Sequence, residues 1–331
     1  MPATIIHPKF ATLVGQSRAK ELLSAGINAV EEGREAIQPL LTAPAGCGKT
    51  EIAHRYLDAL AAQGFRTMRF ASPKEMRLAG PKWDEFIEMV MDWTTPYAIF
   101  IDETHQAVLD NVKNMNTLRA FLLNALDRMN TDRDITISDE LVTRFDRNKN
   151  VFILGTNYPH ILDKSGALQS RFDCMQLDLY NEDELKQILT RMMTSNGMSW
   201  DSEEVLTIIA RCGRGTARPI KNIVQQALTV IGKEHPLTKD EALRVLRLSR
   251  MFPKGLTNDE VKLLQVCQNK ELRDSQASAM IPSLAPADLR NAKGYLTSPQ
   301  VGFLNITSRG METSRIGAAY LNYLFTQGFI D

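Results

Sequence analysis

The strongest chemical signal in the chain is the run Ala43-Pro44-Ala45-Gly46-Cys47-Gly48-Lys49-Thr50. Holding the β- and γ-phosphates of a nucleotide takes backbone N–H groups that can turn inward, a cation and a hydroxyl for Mg²⁺. Gly46 and Gly48 permit the turn, and Ala45 and Cys47 complete it. Lys49 is the cation and Thr50 the hydroxyl. Ala43 stands where the usual pattern has glycine. A second cluster is Ile99-Phe100-Ile101-Asp102-Glu103, an apolar run ending in two acids. The first acid, Asp102, would join Thr50 near the metal, and Glu103 would polarise a water. A third is Val151-Phe152-Ile153-Leu154-Gly155-Thr156-Asn157, where an amide at the tip of a buried strand can hold the attacking water. Taken singly, these are a glycine-rich turn, a solvated acidic loop and an Asn opening a turn. Together they predict a site that binds ATP with Mg²⁺ and hydrolyses it.

Such residues need a rigid frame. Pro39-Leu40-Leu41-Thr42 reads as a strand leading into the glycine loop. The segment from Lys49 to Ala62 follows, with Ile52, Ala53, Tyr56, Leu57 and Leu60 on one helical face. Thr67 to Phe70, Tyr97 to Ile101 and Val151 to Leu154 are further strands, the last two near-continuous apolar runs suited to central parallel strands. Strands alternating with helices predict a doubly wound α/β core over residues 1–180.

From Asn181 the periodicity is helical, over Glu184–Thr194, Glu203–Arg211, Ala217–Ile231 and Lys239–Leu248. This predicts a small helical domain at 181–252. Phe252-Pro253-Lys254-Gly255 punctuates the chain. Beyond it, Thr257-x-x-Glu260 is a capping box, a helix is expected from Ala287 to Leu296, and Gly302 to Thr307 alternates as a strand that turns at Arg309-Gly310. Helices followed by a strand–turn–strand predict a winged helix over 253–331.

Composition bounds the partners. Among the 331 residues, 39 Lys and Arg balance 39 Asp and Glu, so any polyanion must be met by local patches. Four scattered cysteines offer neither a zinc ribbon nor a disulfide framework, which fits a reducing cytoplasm. No apolar stretch approaches the ~18 residues of a membrane span, and none near Met1 suits a signal peptide.

The order of the phosphate loop, Ile-Asp-Glu-Thr-His at 101–105, Gly-Thr-Asn at 155–157, Leu-Gln-Ser-Arg-Phe-Asp at 168–173 and Gly-Arg-Gly-Thr-Ala-Arg at 213–218 resembles the AAA+ ATPases. Within them the chain is most similar to the RuvB branch-migration motors, a similarity that extends to Val14-Gly15-Gln16 and to Arg309-Gly310. The resemblance implies an AAA+ core with parallel sheet, a helical lid and a winged helix. It implies that Val14, Gly15 and Gln16 pack near the adenine. It makes Asn157 the sensor-1 residue, Arg171 the arginine finger offered to the neighbouring subunit, and Arg218 the sensor-2 residue. A guanidinium presented in trans stabilises transition-state charge and ties hydrolysis to assembly. The implied assembly is a homo-oligomeric ring of six acting on DNA, with a loading or adaptor protein. Departures are Gln169 and Gln106, where RuvB carries arginines. The hairpin before sensor 1, which in RuvB engages RuvA, would fall at Ile135–Ser138 and Leu141–Phe145.

From Gly255 onward seven basic residues face seven acids, a neutral balance for a DNA module. Arg290 and Lys293 share one predicted helix, and Arg309 and Arg315 flank the wing turn, so these four are the expected phosphate contacts. A winged helix used for protein contacts is the alternative. Two further readings stand beside the DNA motor: a protein-remodelling AAA+ machine, and an assembly factor using ATP as a switch. The loop Ser72–Gly80, with Lys74 and Arg77 and no aromatic residue, favours nucleic acid over peptide.

Overall fold

The computed structural model describes residues 6–75, 81–106, 123, 134–138, 141–144, 146, 149–158, 169–268 and 270–330. The chain divides into two compact units, Met1–Tyr180 and Asn181–Asp331.

The first unit begins with helices α1 (Pro8–Ala11) and α2 (Ser17–Glu31), then β1 (Pro39–Thr42), α3 (Lys49–Ala62), β2 (Arg66–Phe70), α4 (Pro81–Met91) and β3 (Tyr97–Ile101). Strands β4 (Asp134–Ser138) and β5 (Leu141–Arg144) precede β6 (Asn150–Thr156) and β7 (Asp173–Gln176). Five strands form one sheet in the order β2-β3-β6-β1-β7, every pair parallel. Alternate residues of the same strand enter different cores. Ile99 and Ile101 pack with Phe70, Phe86, Phe152 and Leu154, while Ala98 and Phe100 pack with Tyr56, Leu57, Val151 and Ile153. Both faces are thus covered, which is why the strands read as unbroken apolar runs. Each large side chain so buried contributes about 1.5–3 kcal/mol.

β7 was not legible in the sequence. Only Met175 of Asp-Cys-Met-Gln is buried, because this is the edge of the sheet, and register with β1 rather than hydrophobicity defines it. β4 and β5 pair antiparallel, with Ile135 opposite Thr143 and Thr136 opposite Val142, as a hairpin. Buried Thr143 fastens it to the end of α4, accepting from Trp93 Nε1 at 3.2 Å and donating to the Val90 carbonyl. In the Ser72–Gly80 loop, Pro73–Glu75 forms a 3₁₀ turn holding Lys74. Arg77 and Phe145 lie outside the described residues.

The second unit carries α5 (Glu182–Ser195), α6 (Glu203–Cys212), α7 (Ala217–Val230) and α8 (Lys239–Leu248). Then come α9 (Asn258–Cys267), α10 (Asp274–Met280), α11 (Pro286–Leu296), the two-stranded ribbon of β8 (Leu304–Ile306) and β9 (Met311–Thr313), and α12 (Arg315–Thr326). Reciprocal capping boxes open α5 (Asn181 and Glu184), α8 (Thr238 and Glu241) and α9 (Thr257 and Glu260). Losing such a cap costs about 1 kcal/mol, so these short side chains set where the helices start. Residues from Phe252 to Leu324 build their own core around Leu263, Leu264, Leu296 and Phe303.

Candidate active site

Parallel pairing brings the three motifs together. Thr42, at the end of β1, is in register with Thr156 at the end of β6, and Ile101 of β3 is in register with Leu154. The segments that follow all emerge at the carboxyl edge of the sheet, where open α/β sheets bind ligands.

Gly46 and Gly48 of the loop both adopt left-handed backbone, with φ of 91° and 89°. A Cβ on Gly48 would lie 2.6 Å from the Tyr180 hydroxyl oxygen, so conformation and space both demand glycine. The Cys47 carbonyl accepts from Tyr180 Oη at 3.1 Å and from Gln16 Nε2 at 3.3 Å. Gln16 is itself left-handed, at φ 55°, after left-handed Gly15. Its Nε2 also donates to the Asp178 carbonyl at 2.8 Å, and its Oε1 accepts from Asp178 N at 3.0 Å. The amide thus ties the glycine loop to the segment that follows β7, and Val14, two residues earlier in the chain, is buried. Burial raises the Cys47 thiol above its ordinary pKa, so it serves as a small core side chain.

Lys49 and Thr50 open α3. Lys49 is buried, and its Nζ donates to the Ala43 carbonyl at 2.8 Å, the Pro44 carbonyl at 3.2 Å and Asn157 Oδ1 at 2.5 Å. These three partners are neutral oxygens, so they place the ammonium without cancelling its charge. Thr50 Oγ1 donates to Asp102 Oδ2 at 2.6 Å. Hydroxyl and carboxylate are hard oxygen donors of the kind Mg²⁺ takes, so Thr50 and Asp102 would suit that ion. A Cβ at Gly155 would stand 2.6 Å from Asp102 Oδ1, so glycine there makes room for the carboxylate.

Glu103 sits in left-handed backbone at φ 49°, costing roughly 1–2 kcal/mol for a residue with a Cβ. The turn that holds it is well bonded. Glu103 N donates to Asp102 Oδ1 at 2.9 Å, Thr104 N to the Gly155 carbonyl at 2.8 Å and Thr104 Oγ1 to the Ile101 carbonyl at 3.1 Å. In this conformation the Glu103 carboxylate meets Asn157, whose Nδ2 donates to Oε1 at 2.9 Å and Oε2 at 3.0 Å. Asn157 therefore bridges the cation and the carboxylate. His105, which the sequence reading left without a role, is buried behind them. Its Nε2 lies 3.4 Å from Glu103 Oε2 and its Nδ1 3.2 Å from Thr156 Oγ1. Burial lowers its pKa below the ordinary histidine value, with the Glu103 and Asp102 charges opposing, which favours the neutral ring.

A cavity of about 430 Å³ adjoins the cluster, lined among others by Arg18, Thr42, Pro44, Asn157 and Gln176. It flanks the phosphate loop rather than covering Gly46 to Thr50. Half-buried Ala45 completes the loop.

The remaining expected residues belong to other elements. Arg171 is in a 3₁₀ turn, Gln169–Arg171, directly before β7. Arg218 is exposed in the first turn of α7, in the second unit. Arg290, Arg309 and Arg315 are exposed, whereas Lys293 is half-buried and paired with Asp274 at 2.8 Å. Sequence reasoning missed two residues, Tyr180, which reaches the Cys47 carbonyl from 133 positions away, and His105, whose ring lies beside the Glu103 carboxylate. The only available signal for His105 was its place two residues after Glu103.

Residues 39–177 match the model of the ATPase family associated with various cellular activities (AAA), a span running from the first residue of β1 to just past β7. The chain is 26% identical over 323 residues to the Holliday junction branch migration complex subunit RuvB of Solibacter usitatus, covering 94% of this chain and 88% of that one. It is 23% identical to the RuvB of Prochlorococcus marinus, covering 96% and 88%. The structure of the Thermotoga maritima RuvB Holliday junction branch migration motor superposes with a TM-score of 0.61 at 22% identity, over 93% of this chain and 95% of that one. The AAA domain of FIGL-1 in complex with ADP gives 0.53 at 17% identity, over 85% and 91%. With a glycine loop, acidic pair and polar strand tip assembled within it, residues 39–177 of this chain form an AAA domain, and the chain is similar along most of its length to RuvB.

Proposed function

We propose that the chain is a ring-forming, ATP-driven DNA motor of the RuvB kind. The observation that carries this reading is the extent of the similarity, which covers both units of the chain and most of each relative, not the nucleotide core alone. In this reading the loop Ala45–Thr50 holds the triphosphate of ATP, Lys49 neutralises it, and Val14, Gly15 and Gln16 border the base. Thr50 and Asp102 hold Mg²⁺, which when bound draws charge from the phosphate oxygens. Glu103 takes a proton from the attacking water, which Asn157 holds against the γ-phosphate.

Arg171 reaches the site of the next subunit in a ring of six, and Arg218, in the lid at 181–252, is the sensor-2 residue that the resemblance implies. Residues 253–331 act as a winged helix whose Arg290, Arg309 and Arg315 meet DNA phosphates. Lys293 would first have to leave Asp274, a surface pair worth under about 1 kcal/mol. The β4–β5 hairpin offers a site for a loading protein, and the cytoplasm is the compartment.

A second reading, an AAA+ remodeller that grips protein through the same C-terminal segment, is favoured by the exposed apolar pair Ile306 and Ile316. The two separate in one measurement, the ATPase rate of the full chain with branched, duplex and single-stranded DNA. The motor reading expects stimulation, greatest with the preferred DNA. A rate indifferent to all three would turn the proposal towards the protein partner.

A further inference from the structure

Asn157 Nδ2 donates to both oxygens of the Glu103 carboxylate. A hydrogen bond to the charged form makes a carboxylate a weaker base, so loosening this contact would favour proton abstraction from water. Asn157 has a competing partner, because its Oδ1 is held by Lys49, the residue that meets phosphate. Movement of Asn157 towards the γ-phosphate would free Glu103, and a freed carboxylate on a left-handed backbone needs a new partner to keep its aim.

The structure supplies one. His105 Nε2 is already 3.4 Å from Glu103 Oε2, just beyond hydrogen-bond length. The imidazole cannot drift, being 5% exposed, edge-on to the Tyr158 ring at 4.8 Å and tied to Thr156 Oγ1 through Nδ1. Thr156 Oγ1 also accepts from Tyr158 N at 3.1 Å, and its own proton can be given to Nδ1. With Nδ1 accepting, the ring proton sits on Nε2, facing the carboxylate. The chain Tyr158 N–Thr156–His105–Glu103 thus joins the backbone after β6 to the catalytic turn after β3.

We infer that His105 is a positioning residue for the general base, its Nε2–H taking Oε2 of Glu103 when Asn157 turns to phosphate, so that Oε1 faces the water. The water then gives its proton to Oε1 as its oxygen bonds to the γ-phosphorus, and the bond to the β–γ bridging oxygen breaks, that oxygen leaving with the electron pair on ADP. This inference rests on Glu103 being the base, as proposed above.

The test uses three full-length variants, His105→Phe, His105→Gln and Glu103→Gln. Readouts are kcat, KM for ATP and melting temperature. Phe keeps the packing against Tyr158 but has no donor, whereas Gln carries an N–H that reaches near the Nε2 position. A hydrogen bond to a charged group is worth roughly tenfold to a hundredfold in rate. His105→Phe should therefore lose kcat on that order, with KM and melting temperature near wild type, and His105→Gln should recover part of it. If the Phe chain does not fold, His105→Leu set against His105→Gln makes the same comparison. Normal kcat without the donor, or an equal loss in the Phe (or Leu) and Gln variants, would overturn the assignment. Normal turnover by Glu103→Gln would instead remove the general-base reading, whatever the His105 variants do.

Discussion

Gly48 and Tyr180 occupy one space: a β-carbon on the glycine would come within 2.6 Å of the phenol oxygen, which donates to the carbonyl of the neighbouring Cys47. Residues 132 positions apart thus shape the nucleotide loop jointly. Gly48→Ala should abolish ATP binding, since it adds a clash and strains a backbone at φ 89°. Tyr180→Phe should be milder. Gln16 still donates to the Cys47 carbonyl, so the loss is one hydrogen bond, about 1 kcal/mol or roughly fivefold in ATP affinity. Titration with a fluorescent ATP analogue measures both, and unaltered affinity in Gly48→Ala would refute the steric argument.

The trans role proposed for Arg171 has its own signature. Arg171→Ala protein should bind ATP yet hydrolyse it on the order of a thousandfold more slowly than wild type. Mixed with Lys49→Ala protein it should regain activity. One subunit then offers an intact phosphate loop and its neighbour an intact arginine. ATPase rates across mixing ratios, with subunit exchange verified separately, decide the matter. Two dead proteins that stay dead when mixed, exchange confirmed, would place Arg171 in cis.

In the second unit, Arg214 Nη1 donates to both oxygens of Glu260, at 2.9 and 3.0 Å, while its guanidinium lies 3.4 Å over the Tyr295 ring. Glu260 is 4% exposed and also closes the capping box with Thr257. Removing the cation strands a buried carboxylate. Arg214→Ala should then destabilise this unit by about 3 kcal/mol, the low end for a broken buried pair because Arg214 is itself partly exposed. Adding Glu260→Gln should return part of that loss. Urea denaturation of the full chain, followed by a probe in residues 181–331, would read it. A double variant weaker than Arg214→Ala alone would show that the cap, not the ion pair, dominates.

A pH effect follows from His54, packed edge-on against Phe100 with ring centres 5.9 Å apart. Burial first, and then the Arg69 charge, lower its pKa below the ordinary 6.5. The unfolded chain therefore takes up the proton more readily than the folded one. Stability from this residue is complete above roughly pH 6.5 and is lost as pH falls through that value towards the folded-state pKa. Melting temperatures of wild type and His54→Asn, compared between pH 8 and 5, should converge as the medium acidifies. Parallel curves would contradict the assigned shift.

Much of the molecule is written locally. Pro39–Thr42, Lys49–Ala62, Tyr97–Ile101 and Lys239–Leu248 have the same bounds in the structure as in the sequence pattern, because each declares itself through apolar periodicity or a capping residue within a few positions. Lys49, Thr50, Asp102, Glu103 and Asn157 were likewise singled out by residue type and place after strands, and the structure joins them in one hydrogen-bonded cluster. Contacts made across the sheet were not. β7 exists because β1 offers it an edge, Thr143 is buried because α4 lies beneath the hairpin, and Tyr180 reaches Cys47 only once β7 has paired. His105 shows the limit most plainly. Its residue type allows a ligand, a core ring or a donor, and nothing within a few positions chooses among them. The choice is made by Thr156 and Tyr158, which a parallel pairing in register brings from fifty residues away, and long-range register is a property of the folded sheet rather than of any stretch of chain.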